Sequence, residues 1–570
     1  MNKQVYTRVA ALVLSIPFLV FSCQSPSEEK EPKRGLIAEK AMVVSARGEA
    51  SRIGIEIMQK GGNAFDAMMA TEMALAVTFP FAGNLGGGGF AVYRLANGEI
   101  GSIDYREKAP GAAHRDMYLD ENGDVIPGLS TKGALASGVP GTIAGIFEAQ
   151  AKFGKLEPKD ILQPVIDLAR NGFVVSTQQA GRLASIREVV REVNGENTFY
   201  AKKWNAGDTI KNVPLAETLE RIASNGRDEF YKGETAKILV DHMQKMGGII
   251  TEEDLAAYEA AWRDPIVFDY KELRVISMAP PSSGGVTIGQ ILKMVEPFDL
   301  KGMGHNSADY VQVLTEVMRR AYADRNYYLG DPDFVEIPIS ELLDDAYLSN
   351  RMESFDPEKA TLSSDIAEGS VLFAESMETT HYSIMDEEGN ALAVTTTLNG
   401  AYGSKVYLDE LGFFMNNEMD DFSSKAGVPN MFGLIGAEAN SIAPGKRMLS
   451  SMTPTLVERD GKLWMIVGTP GGSTIITAVA QTILNAYEFD MTMQEAVEAP
   501  RFHHQWLPDQ ILFEENTLDS TLVQILSAKN YLINEGRTPI IGSVDAIMVL
   551  PDGKLEGGAD PRRENEAAGY

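Results

Sequence analysis

Apolar and polar positions along the chain predict an alternation of buried strands and helices from residue 41 onward. Met42-Val43-Val44-Ser45 predicts a short buried strand. Ser51 to Gln59 has helical spacing and stops at Gly61-Gly62, as a helix closed by a C-terminal glycine does. Asn63 and Asp66 then suit the N-cap and first turn of a second helix. Ala67 to Val77 is so dense in small and apolar residues that this helix is expected to be buried on most sides. Strands are predicted at Phe90 to Arg94, Ile100 to Tyr105, Gly412 to Met415 and Leu463 to Val467. Pro158 to His242 is mostly amphipathic helix, and Ala308 to Asn326 is helical. Ala546 to Leu550 with Pro551-Asp552-Gly553 predicts a hairpin that ends the chain.

One junction interrupts this pattern sharply. Asp356 to Glu378 is polar and charged, as an exposed linker is, and it runs straight into Thr379-Thr380-His381-Tyr382-Ser383-Ile384-Met385. That run, the connection Asp386 to Asn390 and the run Ala391 to Asn399 predict a buried hairpin. If the bond between Glu378 and Thr379 were cut, Thr379 would carry a hydroxyl and a free α-amine. Such an amine titrates near pH ~7.7 to 8.0, so one residue would supply both nucleophile and base. Taken alone, the hairpin favours a Thr379 that is only a β-branched residue opening a strand.

Charge and the N-terminus narrow the class. The 570 residues hold 80 acidic against 51 basic side chains, a net charge of −29, and such a field repels phosphate backbones, so nucleic acid is not expected as a partner. Residues 1–22 have the form of a secretory signal: Lys3 and Arg8, an apolar run Val9 to Phe21, then Val20-Phe21-Ser22-Cys23. The run is too short to span a bilayer comfortably. Cys23, the sole cysteine, stands where a bacterial lipoprotein carries its lipid, and residues 23–40 are expected to be the lipidated cysteine and a flexible tether. With no second cysteine, intramolecular disulfides and cysteine-type zinc sites are excluded.

Familiar site motifs are missing. There is no Gly-x-Ser-x-Gly elbow, His-Glu-x-x-His pair or P-loop, and neither a metal nor a cofactor is expected. The four glycines Gly86 to Gly89 precede a strand instead of joining a strand to a helix, so they suit close backbone packing and not a dinucleotide. Asp420-Asp421 are adjacent, and on a strand adjacent carboxylates point opposite ways, which argues against glycosidase chemistry. Arg106, at a predicted strand end, suits either a carboxylate grip or an ion pair with Glu107. Gly427 to Asn440, rich in Gly, Pro and Asn, is a long loop of the lid type.

Together, Gly61 to Ala67, Gly86 to Phe90, Asp104 to Pro110, Ser137 to Gly145, Pro280 to Gly285, Thr379 to Ser383, Asn416 to Phe422, Lys446 to Pro454, Pro470 to Ser473 and Pro500 to Pro508 closely resemble the γ-glutamyltransferases, over a span from about Ala41 to the C-terminus. The resemblance implies an α+β, four-layer αββα N-terminal-nucleophile hydrolase fold, with two antiparallel sheets between helical layers. It implies a precursor that cuts itself before Thr379 into a large subunit, residues 41–378 beyond the tether, and a small catalytic subunit, residues 379–570, intertwined in one domain. It further implies that Thr379 is the nucleophile, that Thr397 assists it, and that Gly471 and Gly472 bind the oxyanion. Arg106, Ser450 and Ser451 would hold the substrate α-carboxylate, and Asn399, Glu418 and Asp421 its α-ammonium group. The implied reaction cleaves the γ-glutamyl amide of glutathione and related compounds and passes the glutamyl group to water, amino acids or peptides; with lipid on Cys23 the protein is expected at the bacterial cell envelope, periplasmic or outward-facing. Two departures stand out: Glu378 where related bacterial enzymes often have an amide, and Phe432 where many have Tyr. Alternatives are a cephalosporin-acylase-like amidase and a non-catalytic lipid-anchored binding protein.

Overall fold

The computed structural model describes residues 31–366, 379–425, 428, 430, 431, 434, 437–515, 517, 519–534 and 540–570. The signal segment 1–22, Cys23, Glu378 and Phe432 lie outside the described residues. Lys33 to Tyr570 pack as one body.

Two seven-stranded antiparallel sheets form its centre. One runs, edge to edge, Leu36–Ala38, Leu555–Ala559, Asp545–Val549, Lys462–Gly468, Thr455–Arg459, Leu273–Ser277 and Ile266–Tyr270. The other runs Glu566–Gly569, Met42–Ser45, Thr380–Met385, Ala391–Thr397, Gly88–Arg94, Ile100–Tyr105 and Ala261–Arg263. Both sheets combine strands from before and after residue 379, so the two stretches are intertwined. Period-two alternation sorts the side chains of the second sheet: Val44, Val92 and Ala393 face the first sheet, while Val43, Ala91 and Val394 face the helix Ala64–Thr78. Helices Gly284–Val295, Ala308–Tyr328 and Thr474–Glu488 cover the far face of the first sheet. The layers are therefore helix, sheet, sheet, helix, the expected αββα order.

Local sequence explains the principal elements. Every residue of Ala64–Thr78 is buried, and its start is closed reciprocally: the Asn63 side chain accepts from the Asp66 N–H while the Asp66 carboxylate accepts from the Asn63 N–H. The glycines before Gly88–Arg94 are required by close approach, since a Cβ on Gly87 would lie 2.0 Å from the Thr397 carbonyl oxygen and one on Gly89 2.5 Å from that of Thr395.

Three expectations need correction. The tether does not extend to residue 40, because Leu36–Ala38 pairs with Leu555–Ala559 as an edge strand. The chain does not end in its last hairpin. A further strand, Glu566–Gly569, pairs with Met42–Ser45, its short run of small residues carrying little strand signal. Asp420 and Asp421 are not on a strand: Glu418–Asp421 is a single 3-10 turn.

Candidate active site

Thr379 sits one residue before the strand Thr380–Met385, whose partner strand pairs Thr396 with Thr380 in antiparallel register. Extending that register by one places Thr397 opposite Thr379, where Cβ atoms on one face lie ~4.5–5.5 Å apart. Thr379 is buried, at 4% exposure. Alternation puts it on the same face as His381, and a Cβ on Gly468 would lie 2.3 Å from the His381 ring, so the strand Lys462–Gly468 crosses directly over this face. His381 has no proton to offer chemistry. Its Nδ1 is bonded to Thr395 Oγ1 at 2.8 Å and its Nε2 to Ser383 Oγ at 3.2 Å, and burial pushes its pKa down to about 3.

Beyond Gly468 the chain turns through Pro470-Gly471-Gly472-Ser473 into the helix Thr474–Glu488. Gly471 has φ +145° and Gly472 φ +52°, conformations that side chains disfavour. Among the described residues neither glycine N–H donates to another group of the chain. Two such donors at a helix N-terminus form a ready site for a developing negative charge. The turn is held by the Thr474 hydroxyl, which donates to the Gly471 carbonyl at 2.9 Å, and by the Tyr322 hydroxyl, which donates to that of Ser473.

A charged array completes the wall. Arg106 is 1% exposed, with Nη2 bonded to Asp421 Oδ2 at 2.5 Å and Nη1 2.6 Å from Glu418 Oε2; Glu107 lies at 3.6 Å. Desolvation works against the guanidinium, but the three carboxylates together outweigh it and keep it charged. Burial pushes Glu418 well above the ordinary carboxylate range and Glu107 up to about 8, in each case against the pull of Arg106. Asp421 is likewise raised by burial, to about 6, with Arg106 opposing. Of the three, Asp421 is raised to the lowest value. Asp420 turns the other way, accepting from Ser130 Oγ at 2.5 Å and from the Met431 N–H at 2.8 Å.

Ser450 and Ser451 lie in an extended segment clamped by the Pro280–Gly285 loop. The Ser283 hydroxyl and N–H both donate to the Ser450 carbonyl at 2.7 Å, and the Ser282 hydroxyl donates to that of Met452 at 2.6 Å. Asn399, at φ +70°, donates its N–H to Thr397 Oγ1 at 2.7 Å and its side-chain amide to the Asn417 carbonyl at 3.0 Å.

All of these converge on one pocket, lined by Thr379, Thr397, Asn399, Arg106, Glu418, Asp421, Ser450, Ser451 and Gly472. Among the expected residues in the described region only Gly471 is absent from the lining, being the neighbour behind Gly472. The pocket also presents Arg325, Leu434, Met452 and Ile475, which sequence reasoning did not single out. Arg325 is one arginine among several on the helix Ala308–Tyr328, and no local pattern tells which points inward. Leu434 brings the expected lid loop to the pocket. Among the described residues no cluster of three or more His, Cys, Asp or Glu side chains is arranged to hold a metal ion.

A threonine opposite a second threonine, two glycine N–H groups and a dipolar array of cation and carboxylate equip this pocket for acyl transfer from an amino-acid-like head group. The family model described as gamma-glutamyltranspeptidase matches residues 50–570. The glutathione hydrolase proenzyme of Escherichia coli (strain K12) is 47% identical over 538 residues, covering 94% of this chain and 92% of that protein. Among solved structures, a cephalosporin acylase from Bacillus halodurans superposes with a TM-score of 0.83 at 25% identity, covering 97% of this chain and 99% of that one. Helicobacter pylori gamma-glutamyltranspeptidase superposes with a TM-score of 0.56 at 40% identity, covering 62% of this chain and 99% of that one.

Proposed function

The chain belongs to the gamma-glutamyltranspeptidase family, and from that premise we propose that the pocket at Thr379 cleaves the γ-glutamyl amide of glutathione and related compounds through an ester on the Thr379 hydroxyl. The observation that carries this reading is the placing of Thr379, Gly472, Arg106 and Asp421 on the wall of one pocket.

The precursor first acts on itself. The Thr379 hydroxyl attacks the carbonyl of residue 378 and the C–N bond breaks with the hydroxyl proton passing to the nitrogen, which frees the Thr379 α-amine and leaves an ester on Oγ; water then hydrolyses that ester, releasing the carboxylate of residue 378 and restoring the hydroxyl. This yields a large subunit ending at Glu378 and a small one, residues 379–570. In turnover the α-amine takes the hydroxyl proton as Oγ attacks the γ-carbonyl of the substrate. The Gly471 and Gly472 N–H groups stabilise the oxyanion, a device in which a single donor is typically worth ~2.7–4 kcal/mol. The proton passes to the leaving amine, which departs. Water or the amine of an amino acid or peptide then attacks the ester and restores Thr379. The Thr397 hydroxyl, opposite Thr379 in the sheet, orients the amine. Arg106 with Ser450 and Ser451 receives the α-carboxylate, and Asp421, Glu418 and Asn399 the α-ammonium group.

An amidase acting on a side chain without an amino-acid head is the competing reading, since a cephalosporin acylase shares the fold. The carboxylates around Arg106 favour the zwitterionic head, because an acyl group without an ammonium would leave Asp421 with no substrate partner. We further propose anchoring at the bacterial cell envelope through lipid on Cys23, with the catalytic body facing outward from the membrane.

The test compares purified wild type with Thr379→Ala. Denaturing electrophoresis with N-terminal sequencing should give two fragments for wild type, the smaller beginning at Thr379, and one uncut chain for the variant. Release of the aromatic amine from a γ-glutamyl anilide should occur only with wild type. An uncut, inactive wild-type chain would leave a binding protein as the better account.

A further inference from the structure

Seven arginines are buried among the described residues, and six of them, Arg47, Arg106, Arg319, Arg320, Arg447 and Arg501, have a carboxylate within 4 Å. Arg325 is the exception among the described residues. It is 4% exposed and lines the pocket, yet its hydrogen-bond partners are all neutral: Nε donates to Ser283 Oγ at 3.2 Å, Nη1 to Asn326 Oδ1 at 3.0 Å and Nη2 to Ser451 Oγ at 3.2 Å. Burying a guanidinium without a counter-charge is costly, and a protein tolerates it where a ligand supplies the missing anion.

The hydroxyl chemistry gives that charge a direction. Ser451 Oγ accepts from Arg325, so its single proton is left to donate elsewhere, and Ser451 itself lines the pocket. Three of the five guanidinium N–H groups are used by the contacts above, which leaves one on each Nη. Arg106, in contrast, is already engaged by Glu418 and Asp421. The charge of Arg106 is thus already matched on this wall, and Arg325 is the cation left to meet an incoming carboxylate. Burial pulls Arg325 down only to about 10, so it stays charged at neutral pH.

Resting on the γ-glutamyl reading above, we propose that Arg325 is a positioning and specificity-determining residue for the substrate α-carboxylate: it orients the Ser451 hydroxyl as a donor into the pocket and supplies the positive charge that Arg106 has committed to Asp421 and Glu418. The glutamyl head is thereby held between a carboxylate-receiving end at Arg325 and Ser451 and an ammonium-receiving end at Asp421.

The test uses Arg325→Gln and Arg325→Lys with two substrates, γ-glutamyl p-nitroanilide and 4-aminobutanoyl p-nitroanilide, which lacks only the α-carboxylate. Arg325→Gln should raise KM for the γ-glutamyl substrate about 10- to 100-fold, the range for losing a hydrogen bond to a charged group, with kcat within a few-fold. On the 4-aminobutanoyl substrate kcat/KM should change less than about threefold, and Arg325→Lys should recover part of the γ-glutamyl KM. Ser451→Ala should cost less in the Arg325→Gln background than in wild type, as coupled residues do. Equal losses on both substrates, or a loss confined to kcat, would overturn the assignment. So would uncut chains for both variants, which would place Arg325 in maturation instead. Failure of the γ-glutamyl reading itself looks different: the wild-type enzyme would not discriminate between the two substrates.

Discussion

Replacing Asp421 by Asn removes one charge while keeping the shape of the side chain, and the structure sets the size of the effect. Asp421 accepts from Arg106 at 2.5 Å and from Asn430 Nδ2 at 3.1 Å, and Arg106 keeps Glu418 as a partner at 2.6 Å, so the pocket wall should survive. What is lost is the ionised acceptor for the substrate ammonium group. A hydrogen bond to a charged group is worth ~1.5–3 kcal/mol, so kcat/KM for a γ-glutamyl anilide should fall about 10- to 150-fold, mostly through KM. The pH dependence adds a second signature. Burial pushes Asp421 up to about 6 against the pull of Arg106, so wild type should lose kcat/KM as pH falls through 6 and this acceptor protonates. Asp421→Asn should lack that limb and keep the higher one, near pH ~7.7–8.0, from the Thr379 α-amine. The assay is amine release from the γ-glutamyl anilide between pH 5 and 9, with a glutaryl anilide that lacks the ammonium group as control. The variant and wild type should treat the glutaryl substrate alike. An equal loss on both substrates, or an unchanged limb near pH 6, would refute the role given to Asp421.

Gly471→Ala places a Cβ 2.6 Å from Thr474 Oγ1 at a φ of +145°, which must displace an oxyanion donor; kcat should drop about 10²- to 10³-fold at nearly constant KM, and self-cleavage should slow in a gel time course. Glu72, fully buried and raised by burial from 4.5 to about 7, favours the folded state while protonated and loses that contribution as pH rises from 4.5 through 7. Wild type should therefore lose about 3 kcal/mol from this group between pH 4.5 and 8 that Glu72→Gln does not lose, at 1.36 kcal/mol per pK unit, and denaturant unfolding at both pH values measures the difference. Cys23→Ser should move the protein from the detergent-extracted membrane fraction to the soluble fraction, and continued membrane retention would count against the lipid anchor.

The elements with strong local signals were legible in the chain. The Thr379 hairpin, the capped helix Ala64–Thr78 and the close packing of the glycines before Gly88–Arg94 all follow from period, cap chemistry and turn residues. Where the signal was weak the reading failed or fell silent. Glu566–Gly569 is made of residues with little strand preference, and it becomes a strand only because Met42–Ser45 presents it an edge. Leu36–Ala38 is ordered for the same reason, pairing with Leu555–Ala559 across more than five hundred residues of chain.

The sequence by itself, through its resemblance to a known family, singled out the candidate site residues and, through alternation, the face of the hairpin on which Thr379 lies. Only the tertiary structure decided which charges are spent on one another. Arg106, Glu418, Asp421, Ser451 and Arg325 come from four separated stretches, and their spacing along the chain carries no information about distance in the pocket. Burial then set their charge states, raising Glu418 and Asp421 and leaving Arg325 without a carboxylate. Desolvation and Coulomb energy depend on what surrounds a group in three dimensions, and that is a property of the packed sheets and helices.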